Sequence, residues 1–197
     1  MSRAPRNENP GFHHVVTRGN NKRPIYLDER DRMLFCLTAE RVRKRYGWDV
    51  LAYVLMSNHY HLLLRVGERG LSDGMHDLNH SYAVTFNARH GRINHVFGKR
   101  FWNRELTTDA SLQAAARYIV QNPRRAGLVA DLDDYPWSSY RATVGLDFPH
   151  VTLDRDSLLG FFGPAPSASV AAYTRFCENL PLGAELEGPR LVPGTVT

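Results

Sequence analysis

Two histidines stand two residues apart in the apolar segment MSNHYHLLLRV, which runs from Met56 to Val66. Successive side chains of a strand point to opposite faces, so His59 and His61 share one face while Tyr60 points to the other. Two imidazoles at this spacing on a rigid strand can ligate one metal ion. The alternative is a pair of hydrogen-bonded histidines on a half-exposed sheet, which is the more common role of an isolated pair.

A tyrosine and an asparagine share one face of a predicted helix in the segment ARYIVQNP. Tyr118 and Asn122 are four residues apart, a spacing that stacks side chains on a helix. The amide oxygen of Asn122 suits a hard divalent ion such as Mg²⁺ or Mn²⁺, which also accepts imidazole. Next to such an ion, the phenol of Tyr118 can attack a DNA phosphate and form a covalent ester. The alternative is a tyrosine packed on the sheet and an asparagine that ends the helix.

The elements that must position these residues follow from the hydrophobic pattern. Strands are predicted at 12–20, 48–56, 59–66 and 101–105, and helices at 28–46, 72–89 and 109–122. The two-residue break at Ser57 and Asn58 predicts a hairpin, and Pro123 is expected to end the last helix. This order predicts an α+β fold with a ferredoxin-like antiparallel sheet, helices packed on one face and the histidine face left open.

The chain has 197 residues, which is enough for one domain with an appendage. From Asp147 onward, six acidic residues stand against three arginines. We therefore predict a catalytic domain at residues 1–145 and an acidic, partly helical extension at residues 146–197. The two cysteines do not suggest a disulfide framework, and no apolar run has the length of a signal peptide core or membrane span, so we expect a cytoplasmic protein.

Positive charge is concentrated in two parts of the chain. Residues 1–45 hold eleven Lys or Arg against five Asp or Glu, and residues 89–125 hold eight against two. This distribution favours a polyanionic partner, the alternative being a solvated surface. The residues predicted to contact DNA phosphates are Arg18, Arg23, Lys99, Arg100, Arg104, Arg124 and Arg125. One or two aromatic residues are expected to stack on unpaired bases, among Phe97, Phe101, Trp102, Tyr135, Trp137 and Tyr140.

Five separated blocks of the sequence resemble one known family, the REP-associated tyrosine transposases, which are bacterial relatives of the single-tyrosine HUH transposases. The blocks are HHVVTRGNNKRPIY (13–26), YVLMSNHYHLLL (53–64), HVFGKRF (95–101), RYIVQNPRRAGLV (117–129) and DYPWSSY (134–140). They occur in the family's order and cover most of residues 12–145. One departure is Gly98-Lys99, where relatives often carry Gln-Gly.

The resemblance implies a ferredoxin-like sheet, HUH metal ligands at His59 and His61, a nucleophile at Tyr118 and an amide ligand at Asn122. It also implies a substrate of single-stranded DNA with hairpins, taken from repeated extragenic palindromes (REP), in a nucleoid-associated bacterial protein. The product of cleavage would be a 5′-phosphotyrosine, with Mg²⁺ or Mn²⁺ as cofactor. The chain would act as a monomer or a homodimer.

Two other functions are compatible with the same sequence. One is a non-catalytic module that binds single-stranded nucleic acid on this fold. The other is a zinc hydrolase that uses water as the nucleophile, which would cut DNA without forming a covalent adduct.

Overall fold

A computed structural model describes residues 9–179 and contains one four-stranded antiparallel sheet in the order β2-β3-β1-β4. The strands are β1 (Gly11–Arg18), β2 (Asp49–Met56), β3 (His59–Val66) and β4 (Trp102–Leu106). The helices are α1 (Glu29–Tyr46), α2 (Leu71–His90), α3 (Asp109–Arg125), α4 (Tyr140–Val144), α5 (Arg155–Gly160) and α6 (Pro166–Glu178), with 3-10 turns at Asn20–Lys22 and Leu132–Asp134. The predicted ferredoxin-like fold class is confirmed.

The two central strands, β1 and β3, pair along their whole length. Gly11 lies opposite Val66 and Arg18 lies opposite His59, so the first strand and the histidine strand are adjacent. The turn at Ser57 and Asn58 joins β2 to β3 as predicted from the two-residue break. The histidines therefore lie in the middle of the sheet, where hydrogen bonds on both sides hold the backbone.

Helices cover both faces of the sheet, whereas the sequence predicted helices on one face only. Helices α1 and α2 cover the face that carries Tyr60, whose ring lies 4.6 Å from that of Phe35 and whose hydroxyl donates to Asn79 Oδ1 at 2.6 Å. Helix α3 covers the opposite face, because its own apolar stripe must also be buried. That stripe consists of Leu112, Ala115, Ala116, Ile119 and Val120.

The sequence predicted that helix α3 ends before Pro123. The helix instead continues to Arg125. Proline lacks the N–H that would bond the carbonyl of Ile119. The side-chain amide of Asn122 lies close to the same carbonyl at 3.4 Å and donates to the carbonyl of Tyr118 at 2.7 Å. Asn122 thus helps to stabilise the helix across the proline.

The segment after residue 145 contains α5 and α6 and packs on the outer side of α3. The buried amide of Gln121 donates to the carbonyl of Cys177 at 2.6 Å, and the Arg117 guanidinium lies 4.2 Å from the centre of the Phe176 ring. Two helices are thus present after residue 145, and the division into a catalytic domain and an extension stays a prediction. Residues 180–197 of that extension lie outside the described residues.

Two further predictions concern the cysteines and the membrane. Cys36 and Cys177 are both buried and free. Within residues 9–179, none of the helices is long and apolar enough to cross a membrane.

Candidate active site

Strands β1 and β3 bring three buried histidines together on the face that α3 covers. The rings of His59 and His61 lie 5.1 Å apart at an angle of 76°. His14 of β1 lies diagonally opposite, and its Nε2 is 2.9 Å from Nδ1 of His61. The predicted pair is therefore part of a cluster of three imidazoles.

Burial keeps these imidazoles neutral at neutral pH. It lowers the pKa of His61 well below its usual value, and the neighbouring histidines act in the same direction. It lowers the pKa of His59 to about 4, aided by the Arg18 guanidinium and opposed by the nearby side chain of Asn122, whose amide oxygen favours the protonated ring. It also lowers the pKa of His14 to about 3, with a smaller effect of Arg104. Neutral imidazoles carry the lone pair that a metal ligand requires.

Two nitrogens of this cluster are buried and have no hydrogen-bond partner among the described residues. They are Nε2 of His59 and Nε2 of His61. Because buried polar atoms are nearly always paired, two such atoms on adjacent rings need an explanation, and a bound cation provides one. The Nδ1 of His59 is held by Asn58 Oδ1 at 2.7 Å, which assigns the proton to Nδ1 and leaves the lone pair on Nε2. The residues present therefore fit a metal ion.

Helix α3 places Tyr118 directly against this cluster. Its half-buried ring lies 5.6 Å from the ring of His61 and 5.8 Å from that of His14, edge to face in both cases. The helix begins with a capping box, in which Thr108 and Ser111 bond each other's backbone N–H groups. The spacing of its buried residues then points Tyr118 toward the sheet.

Asn122 lies one turn beyond Tyr118, on the same side of α3 and near His59. Its amide nitrogen is turned toward the carbonyl of Tyr118, so its amide oxygen is the end that remains for a ligand role. Among residues 9–179, no group of three or more His, Cys, Asp or Glu side chains is arranged to hold a metal ion. A site built on His59 and His61 therefore needs an amide or substrate oxygens to complete its coordination.

Residues 12–122, more than half of the chain, match the family model described as Transposase IS200 like. The chain belongs to this family. It is also similar to a Haemophilus influenzae protein named as a REP-associated tyrosine transposase, with 24% identity over 115 residues. That alignment spans 51% of this chain and 64% of the relative, slightly less than two thirds of the latter.

A solved structure shows the same fold as this IS200-like transposase. It is described as a REP-associated tyrosine transposase bound to a REP hairpin, and it aligns with a TM-score of 0.63 at 21% identity. The alignment covers 77% of this chain and 91% of that one. The resemblance to REP-associated tyrosine transposases is thus confirmed, and the roles of the site residues stay predictions.

Three of the predicted DNA-binding residues of this transposase surround the candidate site. Arg18 lies opposite His59 in the sheet and interacts electrostatically with Tyr118. Arg104 lies opposite His14, and the Arg125 guanidinium carbon is 5.3 Å from the centre of the Tyr118 ring. These cations can stabilise both a phosphate and a phenolate.

The other predicted DNA-binding residues lie further out. Arg23, Lys99 and Arg100 are exposed on segments that flank the Arg18 end of β1, where the N–H of Gly98 bonds the carbonyl of Arg18 at 3.1 Å. Arg124 lies on another side of α3 and donates to the carbonyl of Glu178 at 3.3 Å. The structure therefore does not bring Arg124 to the site.

Most of the aromatic residues considered for base stacking belong to the core. Phe101, Tyr135, Trp137 and Tyr140 are buried. Phe97 is partly buried and packs against the core, with its ring 6.2 Å from those of Tyr60 and Tyr82. Trp102 is only partly buried and lies 5.5 Å from the His14 ring, beside the site. Trp102 is therefore the member of this set that is both partly exposed and adjacent to the candidate site, and base stacking stays a prediction.

Two residues of the site were not assigned to it from the sequence. From the sequence, His14 could point to DNA beside Arg18, although a structural histidine is the more common role, and Asn58 is predicted only as part of a turn. The alternation along β1 carries a signal for the first, because it places His14 on the same face as Arg18. Asn58 has no such signal, because its contact with His59 depends on the turn conformation.

Proposed function

We propose that this IS200-like transposase is a metal-dependent single-strand DNA transesterase with Tyr118 as its nucleophile. The observation that carries the proposal is the contact of the Tyr118 ring with His61, whose Nε2, like that of the adjacent His59, is buried without a hydrogen-bond partner among the described residues. A non-catalytic binding module would not need this costly arrangement of polar atoms.

His59 and His61, with the amide oxygen of Asn122, would hold a Mg²⁺ or Mn²⁺ ion. When bound, such an ion withdraws charge from the phosphate oxygens of the substrate. Tyr118 loses its proton to solvent water, which also supplies the proton that the leaving oxygen takes up, and Arg18 and Arg125 stabilise the negative charge on the phenolate oxygen.

The phenolate of Tyr118 then forms a bond to phosphorus. The bond between phosphorus and the 3′ oxygen of the preceding nucleotide breaks, and that oxygen leaves as a 3′-hydroxyl after taking up a proton. The product is a 5′-phosphotyrosine. Attack by another 3′-hydroxyl reverses the reaction and joins strands without a nucleotide cofactor.

The proposed substrate is single-stranded DNA with a hairpin of the REP type. The solved structure with the same fold is described as bound to a REP hairpin, which supports a substrate of this class. Arg23, Lys99 and Arg100 would contact phosphates beside the site, and Trp102 would stack on an unpaired base.

The test uses labelled single strands that carry hairpins from repeats next to the protein's own gene. Wild-type protein with Mn²⁺ is expected to give a covalent adduct on a denaturing gel, and Tyr118→Phe is expected to give none. Tyr46→Phe is the matched control, because Tyr46 is also half-buried but lies at the end of α1, on the other face. His59→Ala should reduce cleavage much more than binding, since it removes a metal ligand and leaves the basic surface intact.

The denaturing gel and a native binding assay with the same strands together separate the competing functions. Equal cleavage by wild type and Tyr118→Phe would exclude Tyr118 as the nucleophile. Cleavage without an adduct would indicate a hydrolase that uses water. Binding without cleavage in either metal would indicate a non-catalytic nucleic-acid binder.

A further inference from the structure

The buried contact between His14 and His61 has no assigned role in the proposed reaction. Nε2 of His14 lies 2.9 Å from Nδ1 of His61, and the two rings are nearly parallel at 27°. Both side chains are buried, with 5% of His14 and none of His61 exposed. The two residues come from different strands, so the contact depends on the register of the sheet.

This geometry constrains where the protons of the two rings reside. A hydrogen bond between two ring nitrogens contains one proton, which belongs either to His61 Nδ1 or to His14 Nε2. If His14 donates, the neutral His61 ring must carry its proton on Nε2, and that atom then has no lone pair for a metal. If His61 donates, its Nε2 is free to bind.

We infer that His14 is a positioning residue that accepts a hydrogen bond from His61 Nδ1 and thereby fixes His61 as a metal ligand through Nε2. Asn58 does the same for His59, whose Nδ1 it contacts through an amide oxygen at 2.7 Å. Each of the two ligands then has its own acceptor, one supplied by the hairpin turn and one by the neighbouring strand. Such acceptors orient the ring and raise its basicity as a ligand.

The ring of His14 also packs against the nucleophile. It contacts the ring of Tyr118 edge to face at 5.8 Å and bonds His61, whose own ring lies 5.6 Å from that of Tyr118. Trp102 contacts the same ring at 5.5 Å and closes the cluster from β4. The ring of His14 is therefore in contact with three other rings of the site.

Because this role depends on the proposed metal site, its test measures metal binding in the absence of DNA. Titration of purified protein with Mn²⁺, followed by electron paramagnetic resonance, gives the affinity directly. His14→Leu removes the acceptor and is expected to weaken Mn²⁺ binding by about 10- to 100-fold. His14→Gln places an amide oxygen near the position of Nε2 and is expected to restore most of the affinity.

His13→Leu is the matched control. His13 is the adjacent residue of β1, is equally buried and points to the opposite face, where it bonds the carbonyl of Asn9 at 2.8 Å. Its replacement should leave the Mn²⁺ affinity unchanged. If His14→Leu does not fold, the Mn²⁺ affinity of His14→Gln relative to wild type and the tautomer of His61 in the wild-type protein still test the inference.

A second measurement needs no variant. Long-range ¹H–¹⁵N spectra of the wild-type protein are expected to show His61 protonated on Nδ1 and not on Nε2. The opposite tautomer would overturn the inference, and so would a folded His14→Leu that binds Mn²⁺ like wild type. A His14→Gln variant as weak as His14→Leu would also overturn it, because His14 would then act as something other than an acceptor. None of these results depends on whether an adduct forms at Tyr118, so failure of the proposed reaction is recognised separately.

Discussion

Lowering the pH from 7 to 5 should destabilise this protein through the histidine cluster. Burial lowers the pKa of His14 to about 3 and that of His59 to about 4, from a usual value of 6.5. Below pH 6.5 the unfolded chain therefore binds protons that the folded chain does not bind. Stability is present above pH 6.5 and is lost as the pH falls toward the folded values.

The size of the effect follows from the same values. At pH 5 the unfolded histidines are almost fully protonated, whereas the folded His14 and His59 remain mainly neutral. Each of these two residues then costs about 2 kcal/mol of the free energy of unfolding, about 4 kcal/mol together. His61 acts in the same direction. Since domains are typically stable by about 5–15 kcal/mol, this loss is large.

Urea unfolding at pH 7 and pH 5, with EDTA to remove metal ions, measures this loss. His59→Asn removes one titrating group, so its stability should fall by about 2 kcal/mol less than that of wild type over the same interval. His76→Asn is the matched control, because His76 is exposed on α2 and lies outside the cluster. If wild type and His59→Asn lose the same free energy, His59 is not neutralised by burial and the electrostatic argument is wrong.

Two further predictions concern DNA binding and packing. Arg100→Ala should weaken binding of single-stranded DNA and reduce the slope of log affinity against log salt concentration by about 1. Arg30→Ala, which changes an exposed residue of α1, should do neither. An unchanged slope for Arg100→Ala would show that Arg100 does not contact DNA phosphates. Gly74→Ala should destabilise the fold by about 1–3 kcal/mol, because the added methyl group would overlap the buried ring of Trp48. Gly160→Ala, which has open space around it, should be nearly neutral, and equal unfolding midpoints for the two glycine variants would contradict the packing.

Local periodicity was sufficient to predict which residues share a face in the two halves of the candidate site. Alternation along β3 placed His59 and His61 on one face, and helical spacing placed Tyr118 and Asn122 together. These patterns depend only on the geometry of a strand and a helix, so they are visible in a single sequence.

Contacts between distant segments were not predictable in the same way. The bond between His14 and His61 joins residues 47 positions apart and requires the register of β1 against β3. Proline usually ends a helix, but α3 continues through Pro123. Because Pro123 has no N–H to bond the carbonyl of Ile119, the continuation depends on the side-chain amide of Asn122, which lies near that carbonyl. Helix α3 follows β4 and covers the face of the sheet that carries the histidines. The order of the strands does not determine on which face of the sheet such a helix packs.

The position of α6 late in the chain affects the order in which the parts of the site fold during synthesis. The ribosome synthesises β1 and β3 before α3 and α6, so the imidazoles can meet before α6 has been made. Helix α3 is held in its final place by the buried hydrogen bond from Gln121 to Cys177, which can form only after α6 has emerged. We therefore expect the nucleophile to be fixed beside the histidines in a later step than the pairing of β1 with β3.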